Sequence, residues 1–213
     1  MTAILICGGT LSAAFLKEVC SGYPEAVVFA VDGGLRVAEA AGVLPDYLVG
    51  DFDTAEDSLV SRYERKCITI RHKPEKDATD TELAVDEALE RGAETILLLG
   101  ATGTRMDHTM ANVHMLYRIL LQGKKAWILD EYNRISMHDK PFVCKRSEMF
   151  GAYVSFLPFF GETEDVTLKG FKYPLFGKTL TAGISLGVSN EVKEDVMEVL
   201  FKKGYLLMIE SRD

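Results

Sequence analysis

Paired cysteines, long apolar runs and basic clusters are all missing from this chain of 213 residues, and each absence removes a class of function. The four cysteines, Cys7, Cys20, Cys67 and Cys144, are too scattered for a CxxC or a Cys/His cluster, so they read as reduced thiols and not as a zinc site. No uninterrupted apolar stretch approaches the roughly 18 residues that a membrane span requires. The opening residues 1–9 carry no basic region and turn to glycine after a strand's length, which is not the pattern of a signal peptide. With 24 basic against 32 acidic residues the net charge is −8, and no cationic face for nucleic acid is expected. There is no GxGxxG and no Gly-Lys-Ser/Thr phosphate loop. What survives is a soluble, cytoplasmic protein that handles a small molecule, without a membrane or nucleic-acid partner.

What the chain does have is regular alternation over its first 125 residues. Short, mostly continuous apolar runs at 3–7, 26–31, 46–49, 67–70 and 95–99 are separated by helical patterns at 11–21, 35–41, 55–65, 79–91 and 106–122. Continuous runs are the mark of strands buried on both faces, and this order predicts a Rossmann-like parallel sheet with helices on both sides. The last helix shows its apolar face as Met106, Met110, Val113, Tyr117 and Leu120. Beyond residue 125 short strands at 127–129, 134–138, 153–157, 165–169 and 178–181, punctuated by glycine, proline and asparagine, predict an all-β sandwich over 126–213. There residues 202–204 read as a hairpin connection between strands at 196–201 and 205–210.

The polar residues gather in the loops that follow the five α/β strands. In open parallel sheets ligands bind outside the carboxyl ends of the strands, so these loops point to one crevice. Asp51 and Asp53, two apart in an extended segment, place both carboxylates on one side of the chain. At about 4 Å they repel by roughly 4 kcal/mol at an effective dielectric of 20, which asks for a cation such as Mg²⁺. A turn, with Asp53 and Thr54 leading into the next helix, accounts for the pair equally well when it is taken alone. The neighbouring acidic loops favour the metal. Asp77 and Asp80 flank Thr79, whose spacing to Glu82 is that of a capping box. The box explains Thr79 and Glu82 but leaves the two aspartates to complete a metal shell.

Gly100 to Arg105 joins a strand to a helix, and its glycines, with the helix's positive end, can cradle a phosphate that Arg105 grips bidentately. A surface Arg is the plain alternative. Lys73 and Lys76 are ordinary loop lysines, and His108 is either a general base or a packed first-turn residue. His72, His114 and His138 have no ligand spacing.

Asp32-Gly33-Gly34, Gly50-Asp51-Phe52-Asp53-Thr54, Lys76 through Ala84 and Gly100 through His108 resemble, in order and spacing, the motifs of bacterial thiamin pyrophosphokinases. Ser185 through Glu191 resembles that family's thiamin-side motif. The resemblance implies transfer of diphosphate from ATP to the hydroxyl of thiamin, with Mg²⁺ as cofactor, in a homodimer whose thiamin lies between subunits. Carried over by position, it makes Asp51, Asp53 and Asp80 the metal and phosphate-site carboxylates, with Asp77 and Asp107 beside them. It makes Arg105 and Thr79 triphosphate contacts, places Asp32, Gly33, Gly34, Gly100 and Gly103 along the nucleotide, and makes Ser189 and Asn190 thiamin contacts. Thr54 departs from the family's usual Ser and Thr104 from its usual second glycine. A phosphatase or other phosphotransferase using Asp51 as nucleophile is the second reading, and a nucleotide or thiamin sensor without catalysis is the third.

Overall fold

The continuous apolar runs become strands covered on both sides. The structure, a computed structural model, describes residues 1–52, 57–71 and 78–213. It divides into two compact units, Met1–Glu131 and Tyr132–Asp213. In the first, β1 (Thr2–Ile6), β2 (Val27–Val31), β3 (Tyr47–Gly50), β4 (Ile68–Arg71), β5 (Thr95–Leu99) and β6 (Lys125–Leu129) pair in parallel in the order β4-β3-β2-β1-β5-β6. Ile4, Leu5, Ile6, Ile96, Leu98 and Leu99 are wholly buried at the centre of that sheet.

Five helices connect these strands: α1 (Ala13–Gly22), α2 (Gly34–Ala41), α3 (Asp57–Tyr63), α4 (Asp80–Glu90) and α5 (Met106–Leu121). They fall into two groups. Helix α1 packs on α2, and Leu35 of α2 shares an apolar cluster with Leu59, Val60 and Tyr63 of α3. Separately, Arg118 of α5 donates to Glu82 and Asp86 of α4 at 2.8 and 2.6 Å. The chain steps outward from β1 to β4, then returns to β5 on the other side of β1. Right-handed crossovers therefore put the two groups on opposite faces and leave a switch point between β1 and β5, where a ligand crevice is expected.

All ten α/β elements lie within two residues of the bounds read from sequence, but two readings need correction. The strand assigned at 127–129 to the β-rich half is β6, hydrogen-bonded in parallel to β5. The inward face of α5 is Asn112, Val113, Met115, Leu116 and Ile119, while Met106 and Met110 stand exposed. A polar residue at 112 breaks the apolar period, and that broke the reading.

The second unit is β-rich, with β7 (Asn133–His138), β8 (Phe142–Lys145), β9 (Tyr153–Lys169), β10 (Leu175–Thr181), β11 (Asn190–Glu191), β12 (Val196–Leu200) and β13 (Lys203–Ser211). Strand β9, read from sequence as two strands, is one of 17 residues. Its first part pairs with β13, which also pairs with β7, and its second part pairs with β10 and β12. Left-handed residues at Phe160, Gly161 and Asp165 bend it between the two. The predicted hairpin at 202–204 is absent: β12 pairs with β8 and β9 and β13 with β7 and β9, so the connection passes from one group of strands to the other. Val154, Phe156, Val166, Leu168, Met197 and Val199 form the core between them.

Candidate active site

Beyond the ends of β1 and β5 the two segments stay joined. Cys7 donates its N–H to Leu99 at 2.7 Å, Gly9 to Gly100 at 2.8 Å and Thr10 to Thr102 at 2.8 Å. The approach is close enough to exclude a side chain, since a Cβ on Gly9 would lie 2.3 Å from the Thr102 carbonyl oxygen and 2.4 Å from that of Gly100. Gly100 itself is left-handed, with φ 63°. Over this platform opens a cavity of about 590 Å³, within the range of small-molecule and nucleotide sites.

The walls come from the loops singled out in the sequence. Asp32, Thr79, Asp80, Gly100, Gly103 and Arg105 all line the cavity, as do Gly8, Thr104 and His108. Asp32 is held in a left-handed conformation, φ 42°, which costs a non-glycine residue strain and is characteristic of ligand sites. Asp51 is half-buried just past β3 and is not among the described residues of the wall. Asp53, Lys73, Lys76 and Asp77 lie outside the described residues. Among those that are described, no group of three or more His, Cys, Asp or Glu is gathered to hold a metal. Gly34 lies too close to β1 for a side chain: a Cβ there would fall 1.9 Å from the Ile6 carbonyl oxygen, so α2 starts flush against β1.

Helix ends supply the polar edge. Thr79 caps α4 by accepting from the Glu82 N–H at 3.2 Å. The Glu82 carboxylate, which a full capping box would return to Thr79, instead accepts from Arg118. Arg105 precedes α5 and grips Asp107 with both forks, at 3.2 and 2.5 Å. That contact holds the Asp107 carboxyl down to about 2. Both side chains are exposed. Cys7, on the cavity floor, is pushed up to about 12 by burial and stays a thiol.

The loop from Gly100 to Thr104 offers donors. Its carbonyls at 100, 101 and 102 accept from Gly9, Asn112 and Thr10. Among the described residues nothing accepts from the N–H groups of Ala101, Thr102, Gly103 or Thr104. Ala101 is buried, and a buried N–H calls for a partner.

Two residues that hold this loop were not anticipated. Asn112, on the inward face of α5, donates to the Ala101 carbonyl at 2.6 Å, and Asp130, buried after β6, accepts from the Thr102 hydroxyl at 2.8 Å. The interrupted apolar period at 112 was the available signal for the first. Asp130 had none, because its partner is 28 residues away.

In the second unit Ser189 is exposed and left-handed, φ 55°, with its N–H on the Ser155 hydroxyl at 3.0 Å. Asn190 is buried, its amide accepting from the Tyr173 and Glu191 N–H groups and donating to the Tyr173 carbonyl. Those bonds occupy it in holding the neighbouring turn. Ile184, Leu186 and Val188 stand exposed on the loop before it.

Comparison with known proteins gives concordant matches. The sequence profile of the thiamin pyrophosphokinase catalytic domain matches residues 24–128, and that of the thiamin pyrophosphokinase vitamin B1 binding domain matches residues 142–206. The thiamine pyrophosphokinase of Bacillus subtilis is 35% identical over 184 residues, 86% of either chain. The crystal structure of thiamine pyrophosphokinase from Bacillus subtilis aligns with a TM-score of 0.89 at 32% identity, covering 100% of both chains. That of the thiamin pyrophosphokinase from Geobacillus thermodenitrificans aligns with 0.87 at 30% identity, covering 100% of this chain and 98% of the other.

Proposed function

The chain belongs to the thiamin pyrophosphokinase family, and from that premise we propose how its residues perform the reaction. It is a diphosphotransferase that moves the terminal diphosphate of ATP onto the hydroxyl of thiamin, giving thiamin diphosphate and AMP. The cavity between the β1 and β5 loops is the nucleotide site in this reading. The observation that carries it is the row of N–H groups at Ala101, Thr102, Gly103 and Thr104, without acceptors among the described residues, on a wall shared with Arg105.

In the transfer the thiamin hydroxyl gives up its proton to solvent as its oxygen bonds to the β-phosphorus, and the bond from that phosphorus to the oxygen bridging to the α-phosphorus breaks, that oxygen leaving with AMP. The chain contributes position and charge. The loop N–H groups and Arg105, released from Asp107, hold the phosphate oxygens in line. Cys7 remains protonated, and no covalent intermediate is needed.

A divalent cation suits the donor set. Asp32 and Asp80 bring two carboxylates to a wall whose arginine, Arg105, is already paired with Asp107. A polyphosphate entering there adds its own negative charge to these carboxylates. Asp51 and Asp80, with Asp53, are the residues we assign to hold Mg²⁺, one or two carboxylates plus substrate phosphates being its usual company. When bound, the ion neutralises phosphate oxygens and the departing AMP.

We further read the first unit as a Rossmann-like catalytic domain and the second as a β-sandwich that carries thiamin near Ser189. The working enzyme is in this reading a cytoplasmic homodimer. A coupled assay for AMP tests the activity. AMP should form only with thiamin, ATP and Mg²⁺ together, and excess chelator should abolish it. Equal AMP with and without thiamin would overturn the assignment.

A further inference from the structure

Asn112 is a polar side chain, 7% exposed, on a helix face that is otherwise Val113, Met115, Leu116 and Ile119. Burying an amide costs unless it bonds, and here the bond is specific: Nδ2 to the Ala101 carbonyl at 2.6 Å. Peptide planarity makes the consequence definite. A trans peptide sets its C=O and the next N–H on opposite sides, so fixing the Ala101 carbonyl fixes the Thr102 N–H. The peptides on either side are fixed in the same way, with the Gly100 and Thr102 carbonyls accepting from Gly9 and Thr10. The middle peptide is the one whose orientation depends on a side chain, and that side chain comes from α5.

We propose that Asn112 is a positioning residue for diphosphate transfer: by pinning the Ala101 carbonyl it sets the Thr102 N–H for an ATP phosphate. The inference rests on the nucleotide reading of this cavity. Asn112 acts through the loop, and its bond ties the catalytic loop to the inward face of α5. An aliphatic residue of similar size would fill the volume but leave the middle peptide free to turn.

The test uses the full-length protein. Asn112→Asp keeps the side chain's shape and turns its donor into an acceptor that faces the Ala101 carbonyl. At pH 8 the KM for ATP should rise about tenfold, the effect of losing one directed hydrogen bond, with the KM for thiamin unchanged. Lowering the pH should protonate the introduced carboxyl, let it donate to Ala101 and restore ATP affinity, a recovery the unmodified enzyme does not show. Asn112→Ala, which adds no charge, should show the same split between the two substrates without the pH recovery, and serves if the Asp variant does not fold. Calorimetric ATP binding to Asp80→Asn and Arg105→Ala separates the two ideas. If those variants bind ATP as the unmodified protein does, the nucleotide reading falls and this inference with it. If they bind weakly while both Asn112 variants keep a normal KM for ATP, the positioning role alone is overturned. It is also overturned if the Asn112 variants raise both KM values in proportion to a loss of thermal stability.

Discussion

Asp80 opens α4 and faces the cavity beside Asp32. Asp80→Asn is expected to lower kcat by on the order of 10², the usual effect of losing one preorganised electrostatic contact. Asp51→Asn should behave likewise, and AMP production checks both. Arg105→Lys keeps the charge but loses the planar fork that now holds Asp107 at two points, so turnover should fall while the Mg²⁺ requirement stays as it was. A different residue governs acid sensitivity. His138 stacks on Phe142 with ring centroids 3.8 Å apart, and burial lowers its pKa to about 4. Since the unfolded chain takes up that proton near pH 6.5 and the folded chain only near 4, stability is full above the higher value and declines as pH falls through this window. His138→Phe should flatten that decline, measured as urea midpoints at pH 7.5 and pH 5.

The platform under the cavity is an element in its own right, made of two loops whose carbonyls leave no room for a side chain at Gly9. Gly9→Ala should separate the loops and weaken ATP binding more than thiamin binding, as calorimetry with each substrate would show. In the second unit, Glu210 of β13 is 1% exposed and accepts from Arg134 of β7 at 2.5 and 2.6 Å and from the Phe150 N–H at 2.9 Å. Glu210→Ala should cost about 3 kcal/mol in chemical denaturation, the low end for a broken buried pair because Arg134 keeps some contact with water. Elements such as these mark the border of what sequence reveals. Strands buried on both faces announce themselves as apolar runs, and the loops at their carboxyl ends carry the aspartates and glycines of the site, so the first unit and most of its cavity wall were legible. Asn112 and Asp130 were not, because a residue that holds a loop by its side chain has no period. The unity of β9 was hidden for a related reason: register shifts and left-handed residues inside a bent strand look like turns.

At the scale of the molecule, the proposed homodimer is checked by light scattering at micromolar concentration, where the mass of two chains is expected and a fully active single chain would remove the shared thiamin site. Exposed Ile184, Leu186 and Val188 on the Ser189 loop give such an assembly an apolar surface to cover. Within each chain, β9 has a separate consequence. Its first part is hydrogen-bonded to β13 and its second to β10 and β12, so neither group of strands can open without freeing half of the same backbone. Amide protons at Leu157, opposite Leu207 of β13, and at Leu168, opposite Val199 of β12, should therefore exchange with solvent through one shared opening event, with equal free energies and equal dependence on denaturant. The vitamin-side half of the enzyme would then breathe as a single foldon, closed at both ends or at neither.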